Sequence, residues 1–369
     1  MHMNINRERL VEYFINLVKI SSPSWKEEKV IEYIINVVNK YKNGVEIKKY
    51  KCGESYNLLI RLSGNSGTMP VLFSAHMDTV IPCENVTPVI SETKIISDGT
   101  TILGADDKAA IAVFLEVISC LKENEVEHGT IEFLLTCAEE TGLHGMKGFD
   151  TSLLKSKMGF VFDSNGGVGR VMIKAPYQIS IEIHIKGKAA HAGIAPEKGI
   201  NAIRIASEII GNIPQGRIDD ETTANVGIIS GGKATNIVAE DTSIALEVRS
   251  MDKKKLYSIE KQIEKTTRGI VQKYRGKVVI NKRLEYSGYY IKQNEKIITL
   301  LSDAMNKIKI KPSYEASGGG SDTNVLNKSG IKALNLSIGM RDVHTKKEYI
   351  LIKDLIDGAR LVYAIIKTV

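Results

Sequence analysis

His76 and Asp78 stand where a short apolar run, residues 70–75, comes to its end. Alternate residues of an extended chain point the same way, so the imidazole and the carboxylate share one face. A metal-bound histidine needs a partner for its second ring nitrogen. We interpret His76 as a metal ligand and Asp78 as the residue that orients it, although most isolated His-x-Asp pairs are polar loop residues.

Asp106 and Asp107 form an acidic pair immediately before a helical pattern over residues 108–121. Aspartate at a helix start accepts hydrogen bonds from free backbone amides and complements the helix dipole. Capping requires only one carboxylate, so the other is free to face the edge of the sheet. The doubled aspartate therefore indicates a second role beside capping.

Glu139 and Glu140 follow the apolar run 130–137. Adjacent carboxylates at a strand end project in different directions, so one can bind metal while its neighbour acts as a base on water. A solvated acidic loop is the alternative. The position favours the metal site, because ligands of open α/β sheets bind at the carboxyl ends of the strands.

Two further candidate ligands lie later in the chain. Asp163 belongs to the apolar run 158–164, and His344 lies in a polar segment near the C-terminus. The glycine-rich turn after Asp163 matches neither phosphate-binding fingerprint, which disfavours nucleotide chemistry. Histidine and carboxylate ligands at strand ends and loops suit two zinc-like ions that share one carboxylate. The predicted ligands are His76, Asp107, Glu140, Asp163 and His344.

The pattern of elements predicts an α/β protein with a second unit inserted into the first. Apolar runs alternate with helical patterns over residues 1–175, as expected of a sheet covered by helices on both faces. Residues 176–287 contain strand patterns with one solvent-exposed face and form a smaller α+β unit. The α/β pattern returns over residues 288–369. Ser24, followed by Glu27, predicts a capping box for a helix over residues 30–38.

The ordered segments SAHMDTV, GADDKAA, AEETG, FDSNGGVG, AAHAG, GGGSDTN and VHTKKEY resemble the two-zinc exopeptidase family of peptidase T, aminoacylases and carboxypeptidases. The similarity covers essentially the whole chain and is greatest to the peptidase-T-like branch. It implies a zinc-exopeptidase-like catalytic domain with an inserted lid and dimerisation domain. It further implies that His76 and Asp163 bind one zinc, that Glu140 and His344 bind the other, and that Asp107 bridges both.

The resemblance also implies the activity, an aminopeptidase that releases N-terminal residues from short peptides. Glu139 would be the general base on a zinc-activated water, with Asp78 supporting His76. His191 would polarise the scissile carbonyl, and Asn236 and Arg249 would bind the carboxylate side of the substrate. Cobalt and manganese are alternatives to zinc. An N-acyl amino acid deacylase, a carboxypeptidase and a non-catalytic binding protein remain open as other functions.

Composition and charge restrict the classes of partner that we expect the protein to bind. The formal net charge is +7, and residues 251–285 contain eleven basic and four acidic side chains, a difference of +7. On the helical part of this stretch, Lys261 and Lys265 adjoin Glu260 and Glu264, which favours a salt-bridged solvated face over a nucleic-acid site. Four widely spaced cysteines and the absence of a long apolar segment predict a cytoplasmic protein without a membrane partner. We expect a homodimer formed through the inserted unit.

Overall fold

The computed structural model describes residues 5–41, 43–64 and 66–369. The chain divides into two compact units, and the second interrupts the first in sequence. The first unit comprises Met1–Ile173, Tyr290–Ser317 and Ser321–Val369, and the second comprises Lys174–Tyr289 with Gly318–Gly320.

The elements are as follows in chain order. The first part contains α1 (Arg7–Lys19), α2 (Glu28–Val38), β1 (Val45–Cys52), β2 (Ser55–Leu62), β3 (Val71–His76), β4 (Pro88–Ile90), β5 (Lys94–Ser97), α3 (Ala105–Glu123), β6 (Ile131–Thr136), α4 (His144–Gly148), β7 (Met158–Ser164) and β8 (Arg170–Ala175). The middle part contains β9 (Tyr177–Lys186), α5 (Ala202–Asn212), β10 (Gly216–Asp219), β11 (Thr222–Gly231), β12 (Asp241–Ser250), α6 (Lys253–Lys273) and β13 (Lys277–Tyr286). The last part contains β14 (Tyr289–Tyr290), α7 (Lys296–Lys307), β15 (Ser313–Ala316), α8 (Asp322–Lys328), β16 (Lys332–Ser337), β17 (Met340–Arg341), β18 (Tyr349–Leu351) and α9 (Ile352–Ile366).

A mixed sheet organises the first unit. Its strand order is β1–β2–β6–β3–β7–β16–β8, and β14 and β15 both pair with β8. Strand β3 runs parallel to β6 and to β7, and β7 runs parallel to β16. The carboxyl ends of these neighbouring strands therefore meet at one edge of the sheet, where ligands bind in α/β folds.

The helix α3 and the central strands form the core of the first unit. Every residue of α3 from Ala105 to Leu121 is buried, which explains its weak amphipathic pattern. Phenylalanine rings of α3 and of the strands stack in one cluster, with Phe73 in contact with Phe114, Phe133 and Phe160. This packed layer gives the sheet edge a rigid base.

A separate four-stranded sheet, β17–β18–β5–β4, also belongs to the first unit. Strand β18 pairs with β5 in antiparallel register, with Tyr349 opposite Ile96. This pairing joins the segment after His344 to residues far earlier in the chain. The small sheet thereby positions the last predicted ligand.

The second unit is an α+β layer built on the sheet β10–β11–β12–β9–β13. Along β9 the isoleucines are buried and the intervening polar residues are half-buried or exposed, as the period-2 pattern predicts. The buried faces of α5 and α6 pack against these isoleucines. The predicted fold class is confirmed.

The basic stretch of the second unit forms ion pairs, although with other partners than predicted. Glu260 and Glu264 both contact Lys282, and Glu264 also contacts Arg268. Lys282 belongs to the neighbouring strand β13 and Arg268 lies one turn further along α6, and they take the place of the predicted partners Lys261 and Lys265. Among the described residues, no helix combines the length and the hydropathy that a transmembrane span requires.

Candidate metal centre

Three neighbouring strands deliver acidic and histidine side chains to one edge of the main sheet. His76 is the last residue of β3, Asp163 lies at the end of β7, and Glu140 follows β6. The His76 Nε2 atom lies 3.8 Å from Asp163 Oδ1. The parallel pairing of the strands is the reason that residues far apart in sequence converge here.

Asp106 lies between the two histidines. Its Oδ1 is 3.1 Å from His76 Nε2, and its Oδ2 is 3.3 Å from His344 Nε2. Burial opposes ionisation, but hydrogen bonds from His344 and His76 keep the pKa of Asp106 below its ordinary value. The resemblance implies that Asp107 lies between the two metal sites, whereas in the structure the two oxygens of Asp106 face the two histidines.

The backbone explains this difference. Asp106 (φ −81°, ψ 105°) and Asp107 (φ −117°, ψ 28°) have non-helical dihedral angles, although they lie within the first turn of α3. The Asp107 Oδ2 atom accepts a hydrogen bond from the backbone N–H of His76. Its other oxygen is buried without a hydrogen-bond partner among the described residues. Burial and the nearby Asp163 carboxylate raise the pKa of Asp107 well above its usual range.

His344 contacts the carboxylates of Glu140 and Asp106. Its Nε2 lies 2.9 Å from Glu140 Oε1, and its side chain is about half exposed. Hydrogen bonds with Asp106 and Glu140 raise the pKa of His344 to about 10. The imidazole and the two carboxylates therefore form a second group of potential ligands.

The donor atoms fit divalent metal ions. Within the described part of the chain, two sets of ligand atoms lie within 4.8 Å of one another: His76 with Asp106 and Glu140, and His76 with Asp107 and Asp163. Imidazole nitrogens and carboxylate oxygens are ligands of zinc and similar ions. One oxygen of Asp107 has no hydrogen-bond partner among the described residues, and several carboxylates lie close together. A bound cation would supply the missing partner and offset the repulsion between the negative charges.

Asp78 orients its neighbours through two different groups. Its backbone carbonyl lies 2.9 Å from His76 Nδ1, whereas its carboxylate is 3.6 Å from that atom. The carboxylate instead accepts hydrogen bonds from the backbone amides of Glu139 (2.9 Å) and Glu140 (3.1 Å). Asp78 thus orients the histidine with its main chain and the glutamate pair with its side chain.

Glu139 lies next to these ligands with a free carboxylate. The residue is buried, and its carboxylate has no hydrogen-bond partner in the described ranges. Burial and the charge of Asp163 raise the pKa of Glu139 well above its usual range. A buried carboxyl group without a fixed partner is suited to exchanging protons with a reactant.

The segment before α2 supports the centre in a way that its sequence pattern does not predict. The Ser24 hydroxyl donates to Asp78 Oδ2 at 2.7 Å. The buried Glu27 accepts hydrogen bonds from the backbone amides of Ala138 and Trp25, both at 2.9 Å. The predicted capping box is therefore wrong: α2 begins at Glu28 without a side-chain cap, because both side chains are bonded elsewhere.

Two other supporting residues escape sequence reasoning. Asn335 of β16 accepts a hydrogen bond from the backbone amide of Asp163 and donates one to its carbonyl. Glu348 is fully buried and accepts a hydrogen bond from the backbone amide of Asp106. The sequence gives little indication of this supporting role. Asn335 lies within an apolar strand, and the position of Glu348, four residues after His344, is its only link to the predicted ligands.

The predicted substrate-binding residues belong to the second unit. His191 and Asn236 lie on adjacent segments, because Ala192 donates its backbone N–H to the Asn236 carbonyl. Both side chains are exposed. The guanidinium of Arg249 contacts Glu247 through two hydrogen bonds of 2.9 and 3.0 Å. Within the second unit, His191 and Asn236 therefore lie on neighbouring segments, whereas Arg249 is paired with the carboxylate of Glu247.

A family model and several known proteins match most of this chain. Residues 72–368 match the model of peptidase family M20/M25/M40. The uncharacterized protein YqjE of Bacillus subtilis strain 168 is 38% identical over 369 residues, which cover 98% of this chain and 99% of that protein.

Two solved structures are similar over 99% of both chains. The aminopeptidase PepT from Bacillus cereus ATCC 10987 has 38% sequence identity and a TM-score of 0.88. A tripeptidase from Staphylococcus aureus subsp. aureus Mu50 has 34% identity and a TM-score of 0.93. The chain therefore belongs to peptidase family M20/M25/M40.

Proposed function

We propose that the protein is a metal-dependent exopeptidase that releases N-terminal residues from short peptides. The observation that supports this most directly is the carboxylate of Asp106, whose two oxygens face His76 and His344 at 3.1 and 3.3 Å. A carboxylate in this position is suited to join two metal ions. The aminopeptidase and the tripeptidase similar to this chain support the choice of substrate.

The proposed cofactor is a pair of divalent ions, zinc in the first place, with cobalt or manganese as alternatives. His76 and Asp163 would bind one ion, Glu140 and His344 the other, and Asp106 both. Asp107 would then complete the first group, since one of its carboxylate oxygens lies within 4.8 Å of the ligand atoms of His76 and Asp163. When bound, such ions act as Lewis acids and lower the pKa of water.

Glu139 is the proposed general base. Its carboxylate takes a proton from the attacking water and later donates a proton to the leaving amine. Asp78 keeps Glu139 in place, since the hydrogen bond to the Glu139 amide fixes the backbone from which the side chain projects. Both residues are buried, so the backbone that carries the base is fixed in the protein interior.

The second unit is proposed to act as a lid and as a dimerisation domain. His191 would polarise the scissile carbonyl, and Asn236 and Arg249 would bind the carboxylate side of the peptide, for which a guanidinium is suited. Arg249 would exchange its contact with Glu247 for the substrate. The exposed Ile228 and Ile229 of β11 support self-association, which sedimentation would test.

The free thiols of all four cysteines are consistent with a cytoplasmic location.

A peptide panel tests the proposed activity. Di- and tripeptides with free and blocked termini would be assayed with and without added zinc, cobalt or manganese. We expect metal-dependent release of the N-terminal residue only from peptides with a free amino group. Hydrolysis of N-acetyl amino acids, or release of the C-terminal residue, would instead assign the same centre to a deacylase or a carboxypeptidase. Absence of any metal-dependent cleavage would refute the peptidase.

A further inference from the structure

The buried start of α3 has no side-chain cap of its own. The residue before the helix is Gly104, which has a left-handed backbone conformation (φ 76°) and no side chain to accept a hydrogen bond. The first amides of a helix lack partners within the helix, and burial without a partner is costly. Another part of the chain must satisfy them.

Glu348 supplies the missing acceptor. Its Oε2 accepts hydrogen bonds from the backbone amides of Leu103 (2.8 Å) and Gly104 (2.7 Å), and its Oε1 accepts one from Asp106 (3.1 Å). The Glu348 side chain is fully buried. Its own backbone carbonyl accepts a hydrogen bond from Ser97, which anchors it to the small sheet. The cap is therefore a carboxylate from more than 240 positions later in the sequence.

This contact joins two parts of the candidate metal centre. Glu348 follows His344 by four residues, and it bonds directly to the backbone of Asp106. Asp106 in turn faces both His344 and His76 with its side chain. A shift of the segment that contains His344 would thus be transmitted to the backbone of the residue between the two histidines.

We propose that Glu348 is a positioning residue that sets the separation of the two metal sites by locking Asp106 to the His344 segment. The inference rests on the proposed dinuclear centre. A carboxylate is required, because three N–H groups face it and both of its oxygens are acceptors. Glutamine would turn an NH₂ group toward some of these donors, and aspartate is one methylene shorter.

The test compares metal binding by Glu348→Gln and Glu348→Asp with the wild type, using zinc titration against a competing chelator. Loss of an outer hydrogen bond to a metal ligand costs about 10- to 100-fold in affinity. We expect a loss of this size for the ion bound by Glu140 and His344, and a smaller loss for the ion bound by His76 and Asp163. The matched control is Glu92→Gln, an exposed glutamate in the turn between β4 and β5.

Hydrogen exchange provides a readout that does not depend on metal. In the metal-free wild type the amides of Leu103, Gly104 and Asp106 should exchange slowly, and Glu348→Gln should accelerate their exchange selectively. Rapid exchange of these amides in the wild type would overturn the inference. So would a variant with lower thermal stability but wild-type affinity at both sites, since Glu348 would then only cap the helix.

The outcomes separate this inference from the proposed function. If the wild type fails to bind two ions, the proposed function is refuted, and the role of Glu348 in fixing the Asp106 backbone is decided by exchange alone. If Glu348→Gln does not fold, Glu348→Asp provides the test, because it keeps the negative charge and has a side chain one methylene shorter. Unchanged affinity at both sites of Glu348→Asp would overturn the inference.

Discussion

The carboxylate of Asp78 lies 2.9 Å from the backbone nitrogen of Glu139 and 3.1 Å from that of Glu140. One buried side chain thus orients the proposed base and the adjacent proposed ligand together. The same residue bonds to His76 through its carbonyl. Asp78 therefore connects the ends of β3 and β6, which pair in parallel.

Substitution of Asp78 should impair both functions of the glutamate pair. Asp78→Asn keeps the size of the side chain but presents an NH₂ group to one of the two amides. We expect kcat to fall about 10- to 100-fold, as for other residues that orient metal ligands. Ser24→Ala is the matched control, since it removes only the hydroxyl donor to Asp78 and costs about 1 kcal/mol of stability. Equal activities of the two variants would contradict this prediction.

Glu139→Gln should separate metal binding from turnover. The amide cannot accept the proton from water, whereas the metal ligands remain in place. We expect two bound ions per chain by elemental analysis and a loss of nearly all peptide hydrolysis. Substantial remaining activity would exclude Glu139 as the base.

The two aspartates at the start of α3 can be distinguished by paired variants. Asp106→Asn should weaken binding of both ions, because each oxygen of Asp106 faces a different histidine. Asp107→Asn should weaken mainly the ion near Asp163, as Asp107 groups with His76 and Asp163. Calorimetric titration with zinc measures both stoichiometry and affinity. A larger loss at both sites in Asp107→Asn would restore the bridging role to Asp107.

His344→Ala should remove one of the two metal sites. His344 groups with Glu140 and Asp106, whereas the ligands around Asp163 do not include it. We expect one bound ion per chain instead of two, with a strong loss of activity. Two ions bound with unchanged affinity would exclude His344 as a ligand. His184→Ala, at an exposed histidine of β9, is the control.

The metal-free protein should become less stable as the pH rises. Burial raises the pKa values of Asp107, Glu139 and Asp163, so the folded state binds their protons more tightly than the unfolded state. His344 adds to this trend, because its stabilising charge is lost as the pH rises through its pKa of about 10. The pKa of Asp106 is lowered in the folded protein, so this residue changes the stability only below its unfolded pKa of about 4. It does not contribute to the pH dependence of stability near neutral pH.

The measurement is the melting temperature between about pH 6 and pH 9, which lie above the ordinary pKa values of carboxyl groups. The chelator-treated protein should melt at lower temperatures at the upper end of this range. Added zinc should raise the melting temperature and reduce its pH dependence, since the cation replaces the protons. A metal-free protein that becomes more stable with rising pH would contradict this prediction.

Much of the architecture follows from local patterns in the sequence. The alternation of isoleucines and polar residues in β9 defines a strand with one buried face, and the apolar runs that end at His76 and Asp163 predict buried strands. The types of the proposed ligands are also evident, because few chemistries require histidines and carboxylates at successive strand ends.

The tertiary structure alone decides which of these side chains meet. Sequence cannot separate Asp106 from Asp107, since adjacent carboxylates are distinguished only by backbone dihedral angles that the surrounding contacts impose. It likewise predicts a local cap for Ser24 and Glu27, whereas both bond to residues more than 50 positions away. Local pattern determines secondary structure, but hydrogen bonds between distant segments form only after the sheet is assembled, so their partners are set by the fold.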